Sequence, residues 1–216
     1  KHNYLRFGGS DYKKEQKIIG IGEIIRSSHI LAFKTLGIDK VLVKKKPVLV
    51  FYATGNEISD SKKIPIWKVR NSNGHYLSSL INNLPITFKT QKILRDNDQK
   101  IFKKEIKKHL KSNTNIIITS GAVSAGKFDF VPGIIKNFKL ANSFKGVAIR
   151  PGKPILFSKF KNKNTAFFGL PGNPISSAAC FRFFIFPFLF TSLNIKKEKP
   201  FKAKLKNVFI KEKNFT

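Results

Sequence analysis

Short runs made almost wholly of apolar residues, each closing on small ones, constrain this chain most. "PVLVFYATG" (47–55) and "NIIITSG" (115–121) show no alternation of apolar and polar residues, and "TAFFGL" (165–170) reads the same way. A half-buried strand would alternate. Unbroken runs must be covered on both faces, as strands of a parallel sheet are when helices lie above and below.

The segments between these runs carry the helical period. "NSNGHYLSSLINNL" (71–84) opens on N-capping Asn and Ser and sets Tyr76, Leu77, Leu80, Ile81 and Leu84 on one face. "RDNDQKIFKKEIKKHL" (95–110) offers Asp96 or Asp98 as a cap and spaces Ile101, Phe102, Ile106 and Leu110 helically. A shorter helix is expected over 28–36, stopped by Gly37, and another over "FVPGIIKNF" (130–138). "PITFKTQKIL" (85–94) reads as a strand, and "GVAIRPGKPILFSKF" (146–160) as two strands flanking a loop stiffened by prolines. "PGNPISSAAC" (171–180) opens a long apolar helix with Pro174 in its first turn. The alternation predicts an α/β fold: a three-layer, mainly parallel sheet with helices on both faces. "FKAKLKNVFI" (201–210) switches to alternation and reads as the start of a small C-terminal β domain. The expected organisation is 1–45 as the tail of an N-terminal or linker domain, 46–192 as the α/β domain, and 193–216 as the start of a truncated β domain.

Charge decides less than its size suggests. Lys and Arg number 42 against 12 Asp and Glu, a net +30 over 216 residues. The lysines are spread along the chain rather than gathered into a binding arm, which favours a compositional bias over a polyanion partner. No nucleic-acid motif is present. Cys180 is the sole cysteine, so neither an intrachain disulfide nor a thiolate zinc site can form, and His2, His29, His75 and His109 lack metal-ligand spacing. "AACFRFFIFPFLF" (178–190) is too short to span a membrane and holds Arg182 and Pro187, so a buried helix and a cytoplasmic, membrane-free protein are expected. The chain starts at Lys1 and contains no Met, which points to a fragment or a processed product.

Parallel sheets bind ligands beyond the carboxyl ends of their strands, and this is where the glycines fall. "YATGNE" sets Thr54, Gly55 and Glu57 there, and "TSGAVSAGKFD" sets Ser120, Gly121, Ser124, Gly126 and Asp129. "GLPGNP" puts Gly172 and Asn173 at a helix N-terminus, where free N–H groups favour an anion. "RPGKP" adds Arg150 and Lys153 between Pro151 and Pro154. Any one such loop is more often a structural turn than a site. Together they bring Glu57, Asp96 and Asp129 to strand ends, and such carboxylates suit Mg²⁺ bound jointly with substrate phosphate.

These loops resemble those of the molybdopterin molybdenumtransferases (bacterial MoeA and the E-domain of gephyrin). The resemblance rests on "TSGAVSAGKFDF", "RPGKP" and "FGLPGNPISS", with "ATGNEI", "NSN" and "RDND" in the same order, and it covers essentially the whole chain. It implies insertion of molybdenum from molybdate into adenylylated molybdopterin, with Mg²⁺-dependent release of AMP. Glu57, Asp96 and Asp129 would then be catalytic, with Glu57 and Asp96 as metal ligands. Thr54, Gly55, Ser120, Gly121, Ser124, Gly126, Arg150, Pro151, Lys153, Pro154, Gly172 and Asn173 would bind substrate. Asp11 matches an acidic position in the family's leading segment. A homodimer of the full-length protein is implied, with the molybdopterin adenylyltransferase as a candidate partner. The family usually has Asp where Asn56 stands, Gly where Ala122 stands, and a larger residue at Ala125. Its N-terminal half is not matched. A molybdopterin adenylyltransferase or related nucleotide hydrolase of the same fold is the alternative reading, and a non-enzymatic basic scaffold the third.

Overall fold

The computed structural model describes residues 4–123, 129–196, 198–204 and 206. Two compact units divide the chain. One gathers Lys1–Lys44 with Leu189–Lys199, and the other Lys45–Phe188 with Pro200–Thr216.

In the first unit, α1 (Ser27–Thr35) buries Ala32 and Phe33. Lys44 Nζ donates to the Ser192 carbonyl at 3.0 Å. Gly22 adopts φ +83 and lies so close to the Asn194 carbonyl that a Cβ would collide with it. Asp11 forms an exposed ion pair with Arg6 at 2.8 Å.

The second unit is built on a six-stranded sheet. Its elements run β1 (Val48–Ala53), β2 (Ile58–Ser59), β3 (Val69–Arg70), α2 (Ser72–Ile81), β4 (Thr87–Thr90), α3 (Gln99–Lys111) and β5 (Thr114–Ser120). They continue with α4 (Val131–Lys136), β6 (Leu140–Lys145), β7 (Leu156–Phe160), β8 (Ala166–Leu170), α5 (Pro174–Cys180) and a π turn (Phe181–Ile185); α6 (Phe186–Leu193) starts in this unit, and its residues from Leu189 on belong to the first. The sheet order is β4-β1-β5-β8-β7-β6. The first four strands are parallel; β7 runs antiparallel to β8, and β6 antiparallel to β7, so β6 points the same way as the first four. β2 and β3 form a separate two-residue ribbon that sequence periodicity did not announce.

The unbroken apolar strands are buried on both sides, as expected. Val50, Tyr52, Ile117 and Phe167 pack with Phe102 and Ile106 of α3 and with Val131, Ile134 and Ile135 of α4. On the other face α2 packs on β1 and β4, and α5 on β8 and α2. Gly74 lets α2 approach closely, since a Cβ there would sit 2.9 Å from the Phe51 ring.

Three local expectations are corrected. No strand forms over 147–150. That segment folds back on itself through Gly146 N to Ile155 O at 2.7 Å and Val147 N to Lys153 O at 3.0 Å. The strand that pairs with β7 is β6, a polar edge strand whose exposed residues gave no apolar signal. Asp98 does take the N-cap position of α3, but its carboxylate accepts from Arg95 N at 2.9 Å rather than from a helix N–H. The alternating segment 201–210 has no strand over 201–204, and 205 and 207–210 lie outside the described residues.

The long apolar helix is composite. Pro187 has no N–H, and its ring would crowd the carbonyl four residues earlier. The π turn just before it widens the helix there, with Phe186 N reaching back five residues to Phe181 O. Pro174–Leu193 is apolar and long enough to cross a membrane by length and composition, but Cys180, Phe181, Ile185 and Leu189 are fully buried within the protein.

A polar chain pins α3 to the sheet. The Tyr52 hydroxyl lies 2.7 Å from His109 Nε2 and donates to Glu105 Oε2 at 3.2 Å, and His109 Nδ1 lies 3.0 Å from Thr114 Oγ1. With the phenol O–H directed at Glu105, the neutral imidazole donates from Nε2 to the phenol oxygen and accepts at Nδ1 from Thr114. Burial holds the His109 pKa below its ordinary 6.5, with Glu105 opposing and Lys108 adding to that effect. A depressed pKa contributes stability that is present above about pH 6.5 and lost as pH falls below it. Urea-unfolding midpoints should therefore drop between about pH 7.5 and 5.5, and drop less steeply for His109→Gln. Tyr52→Phe, measured in the same way at neutral pH, should cost about 1–2 kcal/mol.

Candidate functional site

The sheet register places the site. Ala53 pairs with Ser120, and Ser120 with Leu170, so β1, β5 and β8 end in one row. Their loops leave the sheet side by side. β7 is antiparallel, so its start lies at this same edge, with Leu156 opposite Gly169.

Short bonds lock the first three loops together. Thr54 N and Oγ1 both donate to Ser120 O at 3.0 Å. Gly121 N donates to Leu170 O at 2.9 Å. Asn73, in the first turn of α2, uses both hydrogens of Nδ2, to Ser120 Oγ at 2.5 Å and to Gly172 O at 2.9 Å. The Ser120 hydroxyl in turn donates to Pro171 O at 3.2 Å. These bonds tie the three loops to one another.

Gly121 is there because backbones touch. Gly121 adopts φ +100, and a Cβ on it would lie 2.6 Å from both Thr54 O and Thr54 Oγ1. Gly172 faces it, and a Cβ there would make ordinary contact with Gly121 Cα at 3.6 Å. Ala122, where the resembled family has Gly, is itself left-handed at φ +53. Val131 N donates to Ala122 O at 3.3 Å and closes the loop that carries the half-buried Asp129. Ser124 and Gly126 lie outside the described residues.

The carboxylate side is built from two loops. Gly55, at φ +132, takes a bond from its own N–H to Leu94 O at 3.0 Å, and the Glu57 carboxylate folds against the Gly55 Cα. Asn56 Nδ2 donates to Asp96 Oδ2 at 2.7 Å, and Asp96 N donates back to Asn56 Oδ1 at 3.3 Å. Arg95 NH1 reaches three carbonyls of the same turn: Gly55 at 2.8 Å, Asn56 at 3.2 Å and Ile58 at 2.8 Å. Glu57 and Asp96 are thus carried on turns gripped by the Arg95–Asp96 pair. Among the described residues, no group of three or more His, Cys, Asp and Glu side chains assembles a metal cage.

The remaining expected residues have other local duties. Asn173 Oδ1 caps α5 by accepting from Ser176 N at 3.1 Å. Pro151 follows Arg150 through a cis peptide bond, and Arg150 and Lys153 are exposed. Their loop is anchored from below: Gly152, at φ +116, receives the Cys180 thiol on its carbonyl at 3.3 Å. Burial pushes that thiol up to about 11. Cys180 is at the far end of α5 from Asn173, roughly 10 Å along the helix. A separate open cleft of about 520 Å³ lies between the start of α2 and the end of β4, lined among others by Asp60, Arg70, His75 and Gln91. None of the expected site residues lines it.

Asn73 and Arg95 are the site residues that sequence reading missed. "NSN" reads as helix caps and "RDND" as the cap of α3, although Asn71 makes no side-chain cap bond. The available signal was a surplus of polar side chains at each helix start, more than one cap requires.

The family described as probable molybdopterin binding domain matches residues 51–191, which hold every loop of this cluster. The chain belongs to that family. Molybdopterin-binding relatives extend the match. The molybdopterin molybdenumtransferase of Staphylococcus aureus (strain COL) is 32% identical over 191 residues, 87% of this chain and 44% of that protein. That of Staphylococcus epidermidis (strain RP62A) is 32% identical over 211 residues, 96% of this chain and 49% of that one. Among solved structures, the molybdopterin biosynthesis moeA protein of Pyrococcus horikoshii superposes with a TM-score of 0.72 at 28% identity, over 85% of this chain and 45% of its own. The chain spans about half the length of the curated relatives it matches.

The molybdopterin-binding domain should respond in opposite senses at the neighbouring positive-φ positions Gly121 and Ala122. Gly121→Ala adds strain and a backbone collision, and should lower stability by roughly 2–4 kcal/mol. Ala122→Gly relieves about 1–2 kcal/mol of left-handed strain against about 0.5–1 kcal/mol of added chain entropy, so thermal unfolding should rise slightly or hold.

Proposed function

We propose that this chain is the molybdopterin-handling part of a molybdenumtransferase: it takes adenylylated molybdopterin and molybdate, releases AMP, and leaves molybdenum on the pterin dithiolene. The observation that carries the reading is the row of strand ends at Ala53, Ser120 and Leu170, from which the segments bearing Glu57 and Asp129 follow, with the Arg150–Lys153 loop leading into β7 at the same edge. Relatives named molybdopterin molybdenumtransferase, matching nearly the whole chain, favour it over an adenylyltransferase.

The chain's residues have definite tasks in this reading. Backbone N–H groups of the loops after β5 and β8 receive phosphate oxygens, and Gly121 and Gly172 let the phosphate approach the backbone. Glu57 and Asp96 would hold Mg²⁺, a donor set that fits because this ion takes one or two carboxylates and completes its shell with phosphate and water. Bound there, it would neutralise charge on the phosphoanhydride as water adds to phosphorus and the P–O bond breaks. Asp129 handles the proton of the attacking water. Lys153 and Arg150, exposed on their stiff loop, offer cations to molybdate. The setting we infer is cytoplasmic, with a homodimer completing the site and an adenylyltransferase supplying the adenylylated pterin.

The test supplies the full protein with adenylylated molybdopterin, molybdate and Mg²⁺, and follows AMP by chromatography. AMP release that requires both molybdate and Mg²⁺ is expected, and Glu57→Gln or Asp129→Asn should each slow it by about a hundredfold. No AMP from active substrate would overturn the reading. ATP consumption with free molybdopterin would assign the adenylyltransferase reaction instead.

A further inference from the structure

The turn that carries Glu57 already holds a donor to Asp96 and a guanidinium. Asn56 Nδ2 occupies Asp96 Oδ2 at 2.7 Å, a position from which a cation would otherwise bind that oxygen. The Arg95 guanidinium sits on the same turn, donating to the Gly55, Asn56 and Ile58 carbonyls. The Asn56 amide therefore occupies one oxygen of Asp96, and the Arg95 guanidinium places a positive charge on the turn that carries Glu57. Divalent cations bind according to the negative charge and the free oxygens a site presents. Here one oxygen is taken, and a resident cation opposes any incoming one.

We propose that Asn56 and Arg95 keep the Glu57–Asp96 turn from retaining a divalent cation on its own, so that the cation enters together with a phosphate-bearing substrate. The proposal rests on the reading of Glu57 and Asp96 as cation ligands. A polyphosphate brings the oxygens and negative charge that the turn lacks, and the two ligands then bind with positive coupling. The amide bonds also tie the pair of loops together. Asp at position 56 would set carboxylate against carboxylate there, and the loops would need a cation to meet.

The test uses Mn²⁺ as the metal probe and inorganic pyrophosphate as the phosphate probe, on the full protein, read by electron paramagnetic resonance of free Mn²⁺. The parent should bind Mn²⁺ at least tenfold more tightly when pyrophosphate is present, after correction for Mn²⁺–pyrophosphate binding in solution, roughly 1.4 kcal/mol of coupling. Asn56→Asp should tighten Mn²⁺ binding about tenfold without pyrophosphate, and should lower the melting temperature in chelator with recovery on adding Mn²⁺. Asn56→Ser, neutral and shorter, frees Asp96 Oδ2 and should tighten it by about threefold; it serves even where the Asp variant fails to fold. Unchanged Mn²⁺ affinity in Asn56→Ser, or no coupling to pyrophosphate in the parent, overturns the proposal. Glu57→Gln and Asp96→Asn separate the two readings. If neither weakens Mn²⁺ binding with pyrophosphate present, the ligand assignment itself fails, whatever the Asn56 variants do.

Discussion

Everything at the site depends on the ladder that joins β1 to β5 and β5 to β8. Parallel strands buried on both faces cannot slip by a residue without exchanging the residues they present to each helical layer. Ile117 and Phe167 must face α3 and α4, and that demand puts Ser120 beside Ala53 and Leu170. Once the strand ends are level, Thr54 and Gly121 touch, and the glycine follows as a steric consequence. The loops are thus aligned by the hydrophobic core rather than by their own hydrogen bonds.

Those hydrogen bonds do a second job, which is to rigidify. Asn73 ties the start of α2 to the loops after β5 and β8, and Arg95 ties the end of the β4 segment to the turn after β1. Both side chains spend all their described bonds inside the protein. Both act by holding other groups in place. Glu57, in contrast, has an exposed carboxylate carried on a turn that is itself held from three carbonyls. A fixed turn with a free side chain is the arrangement a ligand-binding group needs.

The sequence displayed the strands because burial on both faces leaves an unbroken apolar run, as in β1, β5 and β8. It displayed their loops because glycine is the residue such close approach demands, and family resemblance then joined the loops into one site. It concealed β6, since an edge strand need not be apolar. It suggested a strand over 147–150, since Val147 and Ile149 are apolar, but turn bonds to Lys153 and Ile155 use the backbone instead. Asn73 and Arg95 were illegible for another reason. Their partners lie 47 and 40 residues away, and local pattern carries no trace of such pairings.

The position of Asp96 depends on a contact at the other end of α3. Asp96 precedes that helix directly, and Asp98 holds the junction through Arg95 N and through its own carbonyl, which receives Phe102 N at 2.8 Å. The helix is then fixed in rotation by buried Phe102 and Ile106, and along its axis by His109 meeting Tyr52. Tyr52 stands two residues before Thr54 on β1. One strand therefore sets both ends of the carboxylate pair: its terminus carries Asn56 and Glu57, and its tyrosine anchors the helix that delivers Asp96. A shift of α3 would stretch the 2.7 Å Asn56–Asp96 bond before it disturbed the loops after β5 and β8. The anion-facing loops and the carboxylate turn are accordingly separable mechanically, although they share a strand.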